Sequence, residues 1–471
     1  MTLVVAAAAL LAYAGTLAYD FVWDDTLLIQ RGYHLHPWRD LWPALTSHFW
    51  AEVQESSHYY RPLITLSFFL DVRLWGVNPF GFHLTNVLAH LGVSLAVLAL
   101  ARKLVGGGIA AGAAALLFAL HPLHSESVAF VSGRTDIFAT LFFLLALLGY
   151  GRWRETGRLL PWAASLAAFF LALTAKEVAV VLPAVLVLWD WARGGGRGDV
   201  MTVPRALARY APYGAVIGAY SALRFAVLGG MVDADGATWA PLVVRALTGI
   251  EIIGRYAWLV LVPFPANPYP VIVSVLPPPG LAWWLWTGFL ALTLVLTVGA
   301  ALRSRVVAFG ALWFWVTLIP FAGVNFLPLS APILAERFLY LPSVGVCLLL
   351  GLAVRRLLGE IDLRGRSRQL RPAPALGLAA LLVVYAGLTL WRNEDWKDDY
   401  RLYLRMVEMS PEAALPHVNV AFTQIPRGEI PAANEHLMRA VEIMPKNPRA
   451  LVGLGLTQTL LGRREDGLAN A

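Results

Sequence analysis

Long apolar stretches separated by short polar segments run through the first 391 residues of the chain. A helix needs about 20 mostly apolar residues to cross a membrane. Eleven stretches approach that length and predict membrane spans: 3–19, 83–101, 106–121, 136–151, 159–174, 178–192, 205–228, 282–302, 306–323, 334–354 and 374–391. The pattern therefore predicts an all-α fold, a polytopic membrane bundle of about 11 spans.

Basic residues between these stretches predict the orientation of the bundle. Cytoplasmic loops of membrane proteins carry an excess of Lys and Arg. Five basic groups fall on one side if the N-terminus is cytoplasmic: Arg102-Lys103; Arg152, Arg154 and Arg158; Arg193 and Arg197; Arg303 and Arg305; and the run from Arg355 to Arg371. We therefore expect the N-terminus inside and the C-terminus outside.

Two long segments lie on the outer side in this topology. Residues 20–82 form the first outer loop, in which the amphipathic stretch 61–75 predicts an interfacial helix. Residues 243–264 are apolar but contain Arg245, Glu251 and Arg255. We expect this stretch to lie at the outer interface or to dip into the membrane and return, which makes 229–281 one long outer loop.

The composition changes after residue 391, where the chain becomes polar and carries an internal repeat. Residues 405–411 (RMVEMSP) match residues 439–445 (RAVEIMP) at a 34-residue offset. A period of about 34 residues is the signature of tetratricopeptide (TPR) helix pairs, whose stacks form concave peptide-binding surfaces. The sequence thus predicts a membrane domain over 1–391 and a non-cytoplasmic α-helical TPR segment over 392–471.

The overall composition supports a membrane protein, with 58% hydrophobic and 14% charged residues. The net charge of +7 is explained by the loop asymmetry, so we expect no nucleic-acid partner. The single cysteine, Cys347, excludes an internal disulfide. Residues 1–19 lack a basic leader and predict a retained helix. Richness in Arg, Ala, Gly and Leu is typical of a GC-rich bacterial gene, which would make the outer face periplasmic.

Two adjacent carboxylates, Asp24 and Asp25, follow the first apolar stretch in the string FVWDD. Charged side chains close to hydrocarbon are costly and mark functional sites. Two like charges side by side raise the pKa of at least one of them, and a carboxylate beside an acceptor hydroxyl acts as a general base. The alternative is a solvated pair at a helix end. The residues alone do not distinguish Asp24 from Asp25.

Other polar residues fall on the same outer side in this topology. His121, His124 and Glu126 have spacing compatible with metal ligands, and the alternative is an interfacial cap that hydrogen-bonds to its neighbours. Lys176 with Glu177, and Glu336 with Arg337, are either ion pairs or functional groups. The planar guanidinium of Arg binds two phosphate oxygens at once, which favours Arg134 or Arg337 as a phosphate ligand.

Six segments together resemble the transmembrane-and-TPR family of O-mannosyltransferases, and the resemblance covers nearly the full chain. They are FVWDD at 21–25, YRPL at 60–63, NPFGFHLTNVLAHL at 78–91, HPLHSESVAFVSGRTD at 121–136, AKE at 175–177 and ERFLYLPSVG at 336–345. Each is weak alone, and their order and spacing make the combination specific. Members of this family commonly carry a longer repeat array than the one seen here, and in this respect the chain departs from the family.

The resemblance implies a GT-C class glycosyltransferase that uses polyprenyl-phosphate sugars on the non-cytoplasmic face. Asp24 or Asp25 takes the position of the catalytic acidic residue, with an inverting displacement as the simplest mechanism. No cofactor is implied with certainty, and dependence on Mg²⁺ or Mn²⁺ stays open. The residues expected to bind donor phosphate or substrate are Arg61, Arg134, Asp136, Lys176, Glu177, Glu336 and Arg337.

We therefore predict a hexosyltransferase, with a mannose-like sugar favoured, in the bacterial inner membrane. Its partners would be a lipid-linked sugar donor, membrane lipids and a protein or peptide acceptor held by the repeats. One alternative is a flippase for polyprenyl-linked glycans. Charged residues midway along the spans would favour it, but here the charges cluster at the ends of the spans. Another is a non-catalytic scaffold, against which eleven spans argue because an anchor needs fewer.

Overall fold

The computed structural model describes residues 1–30, 37–51, 53, 57–194, 202–230, 240–264, 267–323, 334–358 and 372–463. Arg197 and residues 359–371, which belong to two of the predicted inner loops, lie outside these ranges. Regular structure within the described ranges is helical, which confirms the all-α prediction. The α-helices are α1 (Thr2–Tyr13), α2 (Asp24–Gln30), α3 (Leu41–Leu45), α4 (Pro62–Trp75), α5 (Pro79–Leu104), α6 (Ile109–Ala119), α7 (Ser125–Ala129), α8 (Arg134–Thr156), α9 (Leu159–Ala175), α10 (Leu182–Ala192), α11 (Val203–Leu228), α12 (Leu242–Leu259), α13 (Leu281–Arg303), α14 (Arg305–Gly323), α15 (Ser343–Leu358), α16 (Pro372–Asn393), α17 (Asp399–Met409), α18 (Ala414–Gln424), α19 (Ile430–Ile443) and α20 (Pro448–Leu460).

Each of the eleven predicted spans overlaps a helix, so the apolar pattern located these elements correctly. By length and composition six helical segments of the described chain are suited to cross a membrane: Pro79–Leu104, Val131–Thr156, Val203–Leu228, Leu281–Arg303, Arg305–Gly323 and Pro372–Trp396. Shorter apolar helical segments are Thr2–Ala18, Ile109–Ala119 and Leu159–Ala175. The protein is thus a multi-pass membrane protein, while the number of spans and their orientation stay predictions.

The centre of the bundle is built where α5, α6, α8 and α15 pack together. Small residues allow this packing, because membrane helices gain their contacts by close approach of their backbones. A Cβ added at Gly351 would lie 2.9 Å from the carbonyl of Ala110, so α15 and α6 touch backbone to backbone. The same close approach joins Gly345 of α15 to Gly310 of α14.

Helix α12 runs beside the first half of α13, and the segment that joins the two helices returns along α12. The rings of Trp258 and Phe289 are 5.6 Å apart near the end of α12. Within this joining segment, the backbone N–H of Val275 donates to the hydroxyl of Thr248 at 2.8 Å, which places the segment beside the first half of α12. The same segment contacts two other parts of the chain: the backbone N–H of Asn267 donates to Glu336 at 2.7 Å, and the Ser410 hydroxyl donates to the carbonyl of Tyr269 at 2.7 Å.

Four helices, α17 to α20, form the polar C-terminal segment. Helices α18 and α20 begin 34 residues apart, and α17 and α19 end 34 residues apart. Gly428 and Gly462, at the same offset, both adopt a left-handed backbone with φ of +77° and +81°. Glycine suits this conformation because it lacks a Cβ. The helices follow the predicted period, and their assignment as TPR repeats stays a prediction.

Candidate active site

The candidate site includes Asp25, which lies where the predicted first outer loop meets the turn before α8. Its side chain is 0% exposed. The carboxylate accepts hydrogen bonds from the backbone N–H groups of Val22 at 3.4 Å, Val131 at 3.2 Å and Ser132 at 2.8 Å, and from the Ser132 hydroxyl. Burial raises the pKa of Asp25 to about 7, and the bonds from Ser132 and Val22 oppose that rise. Asp25 therefore fastens the loop to the bundle.

Asp24 has a different environment from its neighbour. It is half-buried, and its carboxylate accepts no hydrogen bond from the residues that the structure describes. Burial raises the pKa of Asp24, and the positive charge of Arg337 opposes the rise. Asp24 is thus a partly exposed carboxylate with a cation near it, and a carboxylate within hydrogen-bond reach of an acceptor hydroxyl can act as a general base.

Arg337 lies near enough to Asp24 for its charge to lower the pKa of that carboxyl, and it is held by Glu126. The guanidinium of Arg337 pairs with the Glu126 carboxylate, and its backbone N–H donates to the same group at 2.9 Å. Glu126 is buried, whereas the Arg337 side chain is 27% exposed. One side of the guanidinium is fixed by protein, so the exposed remainder can bind an anion.

Arg134 supports the turn that binds Asp25 and is fully buried. Its guanidinium donates to four protein acceptors: Asp71 at 2.6 Å, Ser67 at 3.0 Å, Asn86 at 3.1 Å and the carbonyl of Phe82 at 3.0 Å. Asn86 in turn donates to the carbonyls of Val128, Phe130 and Val131 at 3.2–3.3 Å. Because these acceptors occupy its guanidinium, Arg134 holds the turn in place, and its phosphate role stays a prediction.

Lys176 and Glu177 do not pair with each other, contrary to the structural alternative weighed from their adjacency. Lys176 contacts both oxygens of Asp136, at 2.7 and 2.8 Å, and Glu177 lies 3.5 Å from Arg61. The backbone at Lys176 is extended, with φ −159° and ψ 136°, so consecutive side chains point in opposite directions. Burial first, and then the charges of Arg61 and Arg337, lower the pKa of Lys176 to about 8, while Asp136 raises it. Three cations therefore lie close together.

Glu336 and Arg337 are not an ion pair with each other either. Glu336 is buried, contacts Arg392 at 2.9 Å and accepts the backbone N–H of Asn267 at 2.7 Å. Consecutive residues of the 3₁₀ turn at Glu336–Leu339 point in different directions, which sends the two side chains to different partners. Glu336 links this turn to α16, and Arg337 faces the site.

His121 and His124 are buried and hydrogen-bonded to their neighbours. His124 Nε2 lies 2.9 Å from the Ser343 hydroxyl, and His121 Nε2 lies 3.3 Å from the carbonyl of Val260. Glu126 does not join them, because its carboxylate faces Arg337. Across the described ranges, no group of three His, Cys, Asp or Glu side chains is arranged to hold a metal ion. The contacts match the hydrogen-bonded cap among the two interpretations.

Several residues that build the site are not among those predicted from the sequence. Asp71 and Asn86 lie in apolar helices, and a buried polar residue in an apolar stretch was a usable signal. Ser132 and Asp399 carry no local signal, because their importance comes from contacts with residues 107 and 376 positions away.

An apolar groove of about 190 Å³ opens on the outside of the bundle between α12, α13, α14 and α15. Its lining includes Ala257, Val260, Leu296, Phe314, Trp315 and Val346. The hydroxyl of Tyr256 on α12 accepts the backbone N–H of Ala335, two residues before Arg337. The groove therefore adjoins the segment that carries the site cation.

Comparisons with known proteins agree with the motifs. Human protein O-mannosyl-transferase TMTC1 is 28% identical over 510 residues, covering 95% of this chain and 56% of that protein. Mus musculus protein O-mannosyl-transferase TMTC3 is 26% identical over 505 residues, covering 100% of this chain and 54% of that protein. The curated relatives of this chain are transmembrane-and-TPR protein O-mannosyl-transferases.

This chain spans little more than half the length of these two relatives. No protein-family model matches it. Among solved structures, ArnT from Cupriavidus metallidurans bound to undecaprenyl phosphate aligns with a TM-score of 0.48 and 15% identity, covering 99% of this chain and 77% of that one.

Proposed function

We propose that this chain is a GT-C class membrane glycosyltransferase. It moves a hexose, mannose-like by preference, from a polyprenyl-phosphate donor to a hydroxyl of a protein acceptor. The observation that carries the proposal is the accessible carboxylate of Asp24 facing the half-fixed guanidinium of Arg337. The relatives are named for protein O-mannosyl transfer, which supports the same reaction class.

Asp24 is the general base in this reaction. It accepts the proton of the acceptor hydroxyl while the acceptor oxygen bonds to the anomeric carbon, and the bond between that carbon and the phosphate oxygen breaks. Polyprenyl phosphate leaves as a stable anion, so no strong general acid is needed. A single displacement of this kind inverts the anomeric configuration. Asp25 is excluded from the role of base in this proposal, since its oxygens are engaged by four donors.

Arg337, Lys176 and Arg61 form the phosphate site in this proposal. Burial first, and then the charges of Arg61 and Arg337, lower the pKa of Lys176, and a bound phosphate would offset the repulsion among these three cations. Arg337 supplies a planar fork for two phosphate oxygens, and Lys176 supplies a compact charge. Glu126 and Asp136 hold Arg337 and Lys176 in place, while Glu177 lies 3.5 Å from Arg61.

The lipid part of the donor fits the apolar groove between α12 and α15. A polyprenyl chain is a flexible hydrocarbon, and burying apolar surface is favourable at about 25 cal/mol per Å². The groove adjoins the segment that carries Arg337, so a chain in it would leave its phosphate near the site. We place the site on the periplasmic face of a bacterial inner membrane, with the repeats holding the acceptor.

The test is a transfer assay with purified protein in nanodiscs and a panel of radiolabelled polyprenyl-phosphate sugars. Release of polyprenyl phosphate is followed for the wild type, Asp24→Asn and Asp25→Asn. General-base catalysis contributes about 10²–10⁴-fold, so Asp24→Asn should lose that much activity per folded molecule. Full activity in Asp24→Asn would remove Asp24 from the mechanism. No release from any donor, with peptides and Mg²⁺ or Mn²⁺ added, would contradict the proposed function.

A further inference from the structure

Trp23, directly before Asp24, has a backbone conformation that side chains rarely adopt. Its φ is +53°, and it is the one non-glycine residue with positive φ in the described ranges. This left-handed conformation brings the Cβ of an L-residue close to backbone atoms and costs free energy. Such conformations persist only where the surroundings enforce them. Because Trp23 precedes α2, its backbone angles set the direction in which Asp24 leaves the turn.

The group that meets this strained backbone comes from the C-terminal segment. The backbone N–H of Trp23 donates to Oδ1 of Asp399 at 2.7 Å, across 376 residues of sequence. A hydrogen bond from an amide to an ionised carboxylate is short and about twice as strong as a neutral one. The Tyr403 hydroxyl, one turn further along α17, also hydrogen-bonds to Asp399. Asp399 is therefore itself oriented by its own helix.

Neighbouring contacts fix the same junction. The backbone N–H of Asp20 donates to the carbonyl of Lys397 at 3.0 Å, and the Tyr19 hydroxyl donates to Glu394 at 3.0 Å. The Trp23 ring lies 6.2 Å from that of Phe130, nearly parallel to it. These contacts hold the chain on both sides of Trp23, whereas within the described ranges it is Asp399 that binds the N–H of the strained residue.

We propose that Asp399 is a positioning residue that holds Trp23 in its left-handed conformation and so aims Asp24 at the acceptor. The helix that opens the repeat segment is then a part of the catalytic turn as well as the start of a binding module. This proposal rests on the proposed function, because it takes Asp24 as the base. A substitution in α17 would then change the reaction rate by changing the position of the Asp24 carboxylate.

The chain offers a matched control one residue earlier. Asp398 is the N-cap of α17, and its side chain accepts the backbone N–H of Arg401 at 3.0 Å. Asp398→Ala removes a capping carboxylate from the same helix and leaves the contact to Trp23 intact. Loosening of α17 in general would affect Asp398→Ala and Asp399→Ala alike, whereas loss of positioning affects Asp399→Ala alone.

The experiment measures kcat and the donor KM together with amide hydrogen exchange over residues 19–30, all on the full chain in nanodiscs. A displacement of a catalytic group by about 1 Å costs about 100-fold in rate, so Asp399→Ala should lower kcat by that order with little change in donor KM. Exchange over 19–30 should be faster in Asp399→Ala than in Asp398→Ala. Asp399→Asn keeps an acceptor oxygen and should restore most of the activity.

A second background isolates the role of the backbone angle. Glycine adopts positive φ without the steric cost, so Trp23→Gly removes the need for enforcement. The loss caused by Asp399→Ala should therefore be smaller in the Trp23→Gly protein than in the wild type. An equal loss in both backgrounds, or equal exchange in Asp399→Ala and Asp398→Ala, would overturn the proposal.

The readouts separate this proposal from the proposed function. If the wild type transfers no sugar but exchange is faster in Asp399→Ala alone, the contact is supported and the proposed function fails. If the wild type is active and Asp24→Asn is not, while Asp399→Ala keeps the wild-type kcat and exchange, the proposed function stands and the positioning role is overturned.

Discussion

The carboxylate of Asp25 accepts two hydrogen bonds from Ser132, one from its backbone N–H at 2.8 Å and one from its hydroxyl. These bonds join the first outer loop to the turn that opens α8, across 107 residues of sequence. The neighbouring carboxylate, Asp24, is left accessible and faces Arg337. In the proposed mechanism, Asp25 supports the structure of the turn and Asp24 acts as the base.

We expect Asp25→Asn to destabilise the protein more than Asp24→Asn. The amide places an N–H₂ group where one carboxylate oxygen accepts hydrogen bonds, and an unsatisfied buried donor costs about 1–3 kcal/mol. Thermal unfolding in detergent should show a lower midpoint for Asp25→Asn, with a smaller change for the half-buried Asp24. A larger loss of stability in Asp24→Asn would contradict the division of roles.

The fall of kcat/KM at low pH, the acid limb of the pH profile, should be set by the pKa of Asp24. Its pKa is raised above the ordinary 3.8 by burial, and only the ionised form accepts a proton, so kcat/KM should fall as the pH drops through that raised value. The charge of Arg337 acts on the pKa of Asp24, and the charge of Asp24 in turn raises the pKa values of Asp25 and Tyr403.

Removing the positive charge of Arg337 should move this limb. Because that charge lowers the pKa of Asp24, Arg337→Gln should shift the acid limb to higher pH. Arg337→Lys keeps the charge and should leave the limb near its wild-type position. Measured pH profiles of kcat/KM for the three proteins decide the point. A limb that stays in place in Arg337→Gln would argue against Asp24 as the titrating group.

Arg134→Gln should act on stability. Breaking a buried ion pair by removing one partner costs about 3–5 kcal/mol, and here the change leaves Asp71 uncompensated. The matched control is Arg39→Gln, whose side chain is 83% exposed and which should change stability by less than about 0.5 kcal/mol. Folded yield and thermal unfolding report the difference. Normal stability with weakened donor binding would instead support the phosphate role first predicted for Arg134.

Arg61→Gln should weaken donor binding. A charge-assisted hydrogen bond to phosphate contributes about 1.5–3 kcal/mol, so the donor KM should rise by about 10- to 100-fold. Glu177→Gln is the control, because it removes the carboxylate 3.5 Å from Arg61 and leaves the cation free for phosphate. Competition with polyprenyl phosphate measures both affinities. Equal weakening in the two variants would mean that the Arg61–Glu177 pair serves structure.

Part of the site could be predicted because its residues break the local pattern. Carboxylates and cations next to apolar stretches, such as Asp24 and Arg337, stand out in sequence since they are costly near hydrocarbon. The pairing of these residues could not be predicted in the same way. Adjacent residues suggested Lys176–Glu177 and Glu336–Arg337 pairs, and backbone direction sends each member to a distant partner instead.

The sequence by itself determined the helical class, the position of the helices and the polar C-terminal segment, because hydrophobic runs and a 34-residue period are local properties of the chain. Only the tertiary structure decided which of Asp24 and Asp25 stays accessible, which cation faces it and that Asp399 binds the strained turn. The physical reason is that a carboxylate's role depends on the donors that reach it, and apart from Val22 the donors to Asp25 and Asp399 named above from other elements lie 106 to 376 positions away.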